Sequence, residues 1–321
     1  MDGRKDVNEL YPFRRYKGNP ILTRKDVPYP CNTVFNAAAC KYRDEYILLL
    51  RIEDLSGRSH LTLARSGNGY EFKIDDSPWI VPSQDPRYEV YERYGVEDPR
   101  ITQIGDEYYI TYTAFGPYGP RVAIGRTKDF VQFERVSLAT EVDNKDAVLF
   151  PEKIDGYFVM IDRPLGWGGE RGDIWIQRSP DLQFWGQAKV LLSPEPGWSS
   201  AKLGVSTPPI KTEKGWLVFY HGVRETGAGR LYRIGAMLLD LKTPERIIGY
   251  TPHFVFGPED DYERIGDVPN VVFPCGAILE EDGTIRLYYG AADTCIALAE
   301  VDLEAILRLC LMDRSKVRPP G

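Results

Sequence analysis

Two adjacent acids stand just ahead of a proline in the run at 95–101 (GVEDPRI). A carboxyl held there can donate or accept a proton. Read alone, Glu97-Asp98-Pro99 is a turn whose aspartate caps backbone N–H groups. Glu97 also has Arg100 across the turn as a salt-bridge partner. Strand alternation sends the two acids to opposite sides, so only one of them points inward. The pair gains weight from residues at comparable places elsewhere: Asn36 and Arg51, Lys145 and Arg163, Lys202 and His221, and Asp293. A lone Lys or Arg is ordinarily a solvated surface charge. His221, which ends the apolar run 216–220, fits a satisfied buried histidine equally well. If the set converges, it offers what a dianion requires, because taking phosphate out of water is costly without charge-assisted donors. No phosphate loop with Lys-Ser/Thr, no GxSxG elbow and no HExxH occurs. The three histidines, His60, His221 and His253, are too scattered to suggest a histidine metal site.

Such convergence needs a scaffold that brings distant segments to one place. The chain repeats one pattern five times. Aromatic-rich strands are expected at 45–52, 107–114, 156–163, 215–221 and 284–291, with partner strands at 61–66, 122–127, 174–179, 234–240 and 296–302. Ahead of each aromatic strand lies a third run, at 36–41, 95–101, 147–154, 204–210 and 271–278. Several of these runs carry Pro, which is tolerated on edge strands. Repeats of roughly 40–70 residues built only of strands point to a radial array, since one unit cannot bury its own apolar faces. The expected fold is therefore all-β: a five-bladed β-propeller, with the third runs innermost and the chemistry at the axis. Arg65-Ser66 with Phe72, Arg126-Thr127 with Phe130 and Arg178-Ser179 with Phe184 read as turns in which Ser or Thr bonds the backbone and Phe plugs the gap between sheets. The arm 1–30 wraps one face or closes the ring. Residues 302–311 (DLEAILRLCL) read as a short C-terminal helix capped by Asp302, followed by a tail to 321. One domain, 1–321, is expected.

The net charge of −7 and a pI near 5.3 argue against nucleic acid and anionic membrane partners. The first residues, MDGRKDVNELYPF, lack the apolar centre of a signal peptide. No apolar run approaches the ~18 residues of a membrane span. Five cysteines without paired spacing fit reduced thiols and a cytoplasmic location. Aromatics make up 12% of the chain, a load that suits both sheet packing and stacking on sugars. The loop 166–172 (GWGGERG), with Trp167, reads either as a rim platform for sugar or as ordinary surface.

At GVEDPRI, together with AVLFPEKI (147–154), DRP (162–164) and the turn YYGAAD that ends at Asp293, the sequence resembles the β-mannoside phosphorylases of glycoside hydrolase family 130. The likeness runs from about residue 36 to 302. It implies a five-bladed propeller that cleaves β-mannosides with inorganic phosphate, inverting the anomeric carbon to give α-mannose 1-phosphate. It implies Asp98 as the lone catalytic acid, acting through the 3-hydroxyl of the bound mannose. It implies phosphate ligands at Lys145, Arg163, Lys202 and His221, with Tyr232 near the phosphate, and mannose ligands at Asn36, Arg51 and Asp293. Lys145 departs from the pattern, where Arg is frequent, and a lysine binds phosphate as a point charge rather than through a fork.

Physical logic points the same way. An inverting glycosidase needs a second carboxylate to activate water, whereas phosphate is already a nucleophile and needs only a cationic cradle. Glu53, Asp54, Glu97 and Asp293 are the candidates for such a second acid. The expected function is inverting phosphorolysis of β-1,2- or β-1,4-linked manno-oligosaccharides or mannosyl-glucose. Small carbohydrate and phosphate are the partners, phosphate is co-substrate rather than cofactor, and a homo-oligomer stays open. The competing readings are an inverting β-mannosidase on the same fold and a non-catalytic carbohydrate-binding propeller.

Overall fold

The computed structural model describes residues 10–165 and 172–312. Within them the chain forms five antiparallel units. The first is Thr33–Tyr42, Glu45–Glu53, Ser59–Ser66 and Lys73–Ile74; the second is Gly95–Ile104, Glu107–Gly116, Gly119–Thr127 and Glu134–Leu138. The third is Asn144–Leu149, Phe158–Pro164, Ile174–Ser179 and Gly186–Leu192. The fourth is Lys202–Val205, Gly215–Thr226, Gly229–Leu239 and Ile247–Tyr250, with the short strand Ile210–Thr212 beside its second strand. The fifth is Val272–Leu279, Thr284–Ala291 and Cys295–Asp302, completed by Arg14–Arg15 and Leu22–Thr23 from the arm. The arm thus closes the ring, joining both ends of the chain in one sheet. Arg15 locks it there with a fork onto the buried carboxylate of Glu263, at 2.8 Å from both Nε and Nη2.

Side chains that alternate across each strand supply two apolar layers per blade. Leu48 and Leu50 pack with Tyr288 and Leu298 of the fifth blade, while Leu49 and Leu63 pack with Ile110 and Tyr112 of the second. The series continues with Ile124 and Tyr109 against Leu149 and Met160, then Ile161 and Ile176 against Trp216 and Met237. It ends with Phe219 and Leu238 against Leu287 and Ala299. Each neighbouring pair of blades therefore shares its own core, and the five blades ring an axis as a five-bladed β-propeller. The helix Leu303–Cys310 is capped by Asp302, whose Oδ1 accepts from the Ala305 N–H at 2.8 Å. Ile306, Leu307 and Leu309 sink into the layer between the fourth and fifth blades.

Two expectations need correction. Two of the inner runs are not one strand: the one expected at 147–154 is Asn144–Leu149 and stops ahead of Pro151, and the one at 204–210 breaks after Val205, with Pro208-Pro209 separating it from Ile210–Thr212. Proline cannot donate a ladder hydrogen bond, so each inner strand stops there. The Ser/Thr turns form as expected, and Phe72 packs against the core between the first and fifth blades, edge-on to Tyr288, but the plug expected at Phe184 is not there. Ser66, Thr127 and Ser179 accept from the N–H of Gly69, Phe130 and Leu182 at 2.9, 3.0 and 2.8 Å. All three of those residues have positive φ. Phe130 is buried as expected, whereas Phe184 is 77% exposed and Leu182 fills its gap.

Candidate active site

The inner strands carry the site because they are irregular. Register shifts mark bulges between Phe35 and Ala38, Glu97 and Arg100, and Lys145 and Val148. Each bulge holds one Asn or Asp in the left-handed region: Asn36 at φ 49°, Asp98 at 46° and Asp146 at 56°. Asn and Asp tolerate this conformation better than other residues with a side chain. A bulge bends its strand and re-aims its side chains, so alternation fails there. That overturns the expectation that only one of the paired acids points inward. Arg51 holds both, with Nη1 2.9 Å from Asp98 Oδ1 and Nη2 3.0 Å from Glu97 Oε1. It also overturns the pairing of Glu97 with Arg100. Gly95 makes the turn possible: it has φ 144°, and a Cβ there would lie 2.9 Å from the Ser59 nitrogen of the neighbouring blade.

The first group at the axis surrounds Asp98. Its Oδ1 also accepts from Asn36 Nδ2 at 2.8 Å. Burial opposes ionisation of Asp98, but the charges of Arg51 and Arg100, the Asn36 amide and Lys145 outweigh it and hold the pKa below the ordinary value. Glu97 is shifted the other way, by burial first, with Arg51 opposing and the charge of Asp98 adding. Asp293 occupies the turn between the last two strands of the fifth blade, at φ 52°. Burial, then the charge of Asp98, pushes its carboxyl up to about 7.

The second group is cationic and surrounds Asp146. Arg163 reaches one oxygen of Asp146 with Nε at 2.8 Å and Nη2 at 2.6 Å. His221 Nε2 lies 3.5 Å from the same oxygen, and Arg100 Nη2 lies 3.5 Å from the other. Arg100, Asp146, Arg163 and His221 are each at most 2% exposed. Burial works against the charge on Asp146, yet the guanidiniums of Arg163 and Arg100 hold it ionised far below the carboxylate range. His221 is pushed down to about 3, by burial first and then by Arg163, Arg100 and Lys202 against the pull of Asp146, so it is neutral near pH 7. Its Nδ1 lies 3.3 Å from Ser206 Oγ, and its ring packs on Phe273 with centroids 4.6 Å apart. Lys202 lies with its Nζ 5.7 Å from the centre of the Tyr232 ring. Burial, then Arg163 and Lys145, lowers its pKa to about 8. Lys145 acts electrostatically on Asp98, Asp146 and Lys202 alike. Gly204 allows the crowding, since a Cβ there would lie 2.4 Å from the His221 ring and 2.6 Å from Asp146 Oδ2. Arg100 joins the two groups by donating from Nη1 to the Asp98 backbone oxygen at 3.0 Å.

Asn36, Arg51, Asp98 and Asp293 therefore share one charge network, and Lys145, Arg163, Lys202, His221 and Tyr232 a second. Sequence reasoning missed Asp146, Arg100, Ser206 and Phe273. From the sequence, Arg100 reads as the turn partner of Glu97. The run drawn at 147–154 starts one residue after Asp146. Superposing DAVL on DPRI and NAAA would have put the three Asn/Asp positions in line. Trp167 lies outside the described residues, as does most of the loop 166–172.

Comparison with known proteins gives these groups a context. The profile of the glycoside hydrolase 130 family described as β-1,4-mannooligosaccharide phosphorylase matches residues 5–312. A 1,2-β-oligomannan phosphorylase of Thermoanaerobacter sp. is 37% identical over 309 residues, covering 92% of this chain and 99% of the relative. A β-1,4-mannooligosaccharide phosphorylase of Ruminococcus albus is 33% identical over 299 residues, covering 91% and 89%. The solved β-1,2-mannobiose phosphorylase of Listeria innocua, in complex with β-1,2-mannobiose, superposes with a TM-score of 0.85 at 32% identity, over 93% of this chain and 99% of that one. With a full-length profile match and relatives above 30% identity, this chain belongs to glycoside hydrolase family 130.

Proposed function

We propose that the protein cleaves β-mannosides with inorganic phosphate, inverting the anomeric carbon to release α-mannose 1-phosphate. The observation that carries this reading is a dense cationic group, Arg100, Lys145, Arg163 and Lys202, set beside a separate acid, Asp98. Hydrolysis with inversion would need a second carboxylate to serve as base toward water. Asp146, the acid set among those cations, is tied to two guanidiniums and held so far below the usual range that it is a poor base, while Glu97 and Asp293 belong with Asp98 in the first group rather than with the cations. The full-length relatives named as phosphorylases support the same reading, and they include both β-1,2 and β-1,4 linkages.

In this mechanism phosphate lies against Lys145, Arg163, Lys202, His221 and Tyr232. Neutral His221 serves as an N–H donor rather than a cation. Asn36, Arg51 and Asp293 hold mannose hydroxyls. A phosphate oxygen attacks C1 as the bond from C1 to the leaving oxygen breaks. Asp98 supplies a proton to that oxygen through the 3-hydroxyl of the mannose. Its own protein surroundings favour the ionised form of Asp98. Phosphate brings like charge and the sugar excludes water, and both raise a carboxyl pKa. Monohydrogen phosphate carries the proton that ends on the acceptor hydroxyl, so the overall reaction balances with Asp98 as a transient carrier. One acid then suffices.

The same reading treats the chain as a single catalytic unit, because every blade shares a core with its two neighbours. It places the protein in the cytoplasm, a view supported by five free cysteines. No helix among the described residues is long and apolar enough to cross a membrane. The test is incubation with β-1,2-mannobiose, β-1,4-mannobiose and mannosyl-glucose, with and without phosphate. Mannose 1-phosphate formed only when phosphate is present supports the proposal. Free mannose released without phosphate points to a hydrolase, and no turnover of any of them to a binding propeller.

A further inference from the structure

Asp146 has no part in the chemistry described above, yet Arg163, Arg100 and His221 all reach it. Its φ of 56° holds it on a bulge, and only 2% of it is exposed. Burying a carboxylate is costly unless it is paired, so its partners explain why it is tolerated. One of its oxygens takes both Nε and Nη2 of Arg163. A guanidinium has two forked edges, and this contact occupies the one that contains Nε. The other edge, Nη1 with the second hydrogen of Nη2, stays open. Arg163 Nη1 is buried and has no hydrogen-bond partner among the described residues. An orphaned buried donor on an otherwise fixed guanidinium is what a site awaiting an oxyanion looks like.

We propose that Asp146 is a positioning residue for the anion: it grips one edge of Arg163, and through Nη2 also Arg100, so that the free edge of Arg163 faces the phosphate. The proposal rests on the reading of this group as the phosphate cradle. The grip has a second effect. Arg163 and Lys145 add their like charge to the burial that lowers the pKa of Lys202, so the cations of this group oppose one another. An interior anion keeps them gathered before phosphate arrives, so the substrate meets donors already in place and loses less entropy in ordering them. Asp146 itself is the third-blade counterpart of Asp98 by bulge position, but its guanidinium comes from its own blade, whereas Arg51 reaches Asp98 from the first blade.

The test is initial-rate kinetics on Asp146→Asn, Arg163→Lys and the double variant, each with phosphate and mannoside varied separately. Asp146→Asn is expected to raise the KM for phosphate about tenfold and leave the mannoside KM within about twofold, one lost charge-assisted contact being worth that order. Arg163→Lys, which keeps the charge but loses the fork, is expected to raise the phosphate KM by a similar factor. In that background Asp146→Asn should add less than about twofold, because residues that act through one another are not additive. Full additivity would show that Asp146 does not work through Arg163. A lower phosphate KM in Asp146→Asn would make it a competitor of phosphate instead. Equal damage to both KM values would reduce it to a structural ion pair. Should Asp146→Asn fail to fold, Arg163→Lys with a wild-type phosphate KM would still overturn the proposal. All of these results presuppose a wild-type rate that depends on phosphate; a phosphate-independent wild type fails the underlying reading and not this inference alone.

Discussion

Asp98 and Asp146 occupy the same place on neighbouring blades. Both lie on an inner-strand bulge with positive φ, both are buried, and both meet a guanidinium, Arg163 from the next strand of the same blade and Arg51 from the second strand of the blade before. Their surroundings differ. The donors of Asp98, Asn36 and Arg51, fall on a single oxygen, Oδ1, and the carboxyls Glu97 and Asp293 stand near enough to act on Arg51 as well. Asp146 has cations against both oxygens. One backbone device thus yields a carboxyl that we propose to carry a proton and another that we propose to act as a fixed charge. The blade supplies the position, and the neighbours decide the role.

The comparison breaks most visibly at Asp98. Asp98→Asn should leave the fold and sugar binding intact and lower turnover by roughly two orders of magnitude or more, the usual worth of a positioned general acid. Near-normal turnover would remove Asp98 from the mechanism. The next effect separates the two groups. Arg163→Ala should raise the KM for phosphate about ten- to a hundredfold, equivalent to about 1.5–3 kcal/mol, and spare the mannoside. Asp293→Ala should do the reverse. Initial rates with one substrate varied at saturating levels of the other decide this, and equal effects on both substrates would dissolve the division.

A smaller effect sharpens the cationic side. Lys202 carries its charge below its pKa of about 8 and loses it above. The efficiency for phosphate should therefore decline as pH rises through 8, by a few-fold and not to zero, since Arg100 and Arg163 keep their charge. Lys202→Arg should abolish that decline, because a guanidinium stays protonated there. A profile unchanged by the substitution would place Lys202 outside the anion site. The smallest effect lies far from the axis. Ser179→Ala removes the hydroxyl that accepts from Leu182 N–H in an outer turn. It should cost about 0.5–1.5 kcal/mol of stability in denaturant unfolding, with both KM values unchanged.

The fold was legible because aromatic strands repeat with clear alternation. The strands at 174–179 and 284–291 fall at their expected bounds, and the helix was visible from its cap and spacing. The arm was ambiguous because Arg14–Arg15 and Leu22–Thr23 are two-residue strands, too short to show a period. The candidates Asn36, Arg51, Asp98 and Asp293 lie in one group at the axis and Lys145, Arg163, Lys202, His221 and Tyr232 in the other, while Trp167 lies outside the described residues. What the sequence hid was the bulges. A one-residue insertion in a strand leaves composition unchanged but shifts every side chain beyond it, so period-two reasoning misplaced Glu97 and overlooked Asp146. Arg100 was hidden for a related reason: its partners, Val205, Ser206 and Asp146, are more than 40 positions away. Local turn chemistry could not reveal them.

The claim on which all of this depends is that phosphate, and not water, attacks the anomeric carbon. A phosphorus NMR time course with a β-linked mannobiose and equimolar phosphate tests it directly. The account predicts that inorganic phosphate falls as α-mannose 1-phosphate rises in equal amount, with no sugar cleavage when phosphate is withheld. Cleavage to free mannose at the same rate without phosphate, or a β-configured phosphate product, would contradict it.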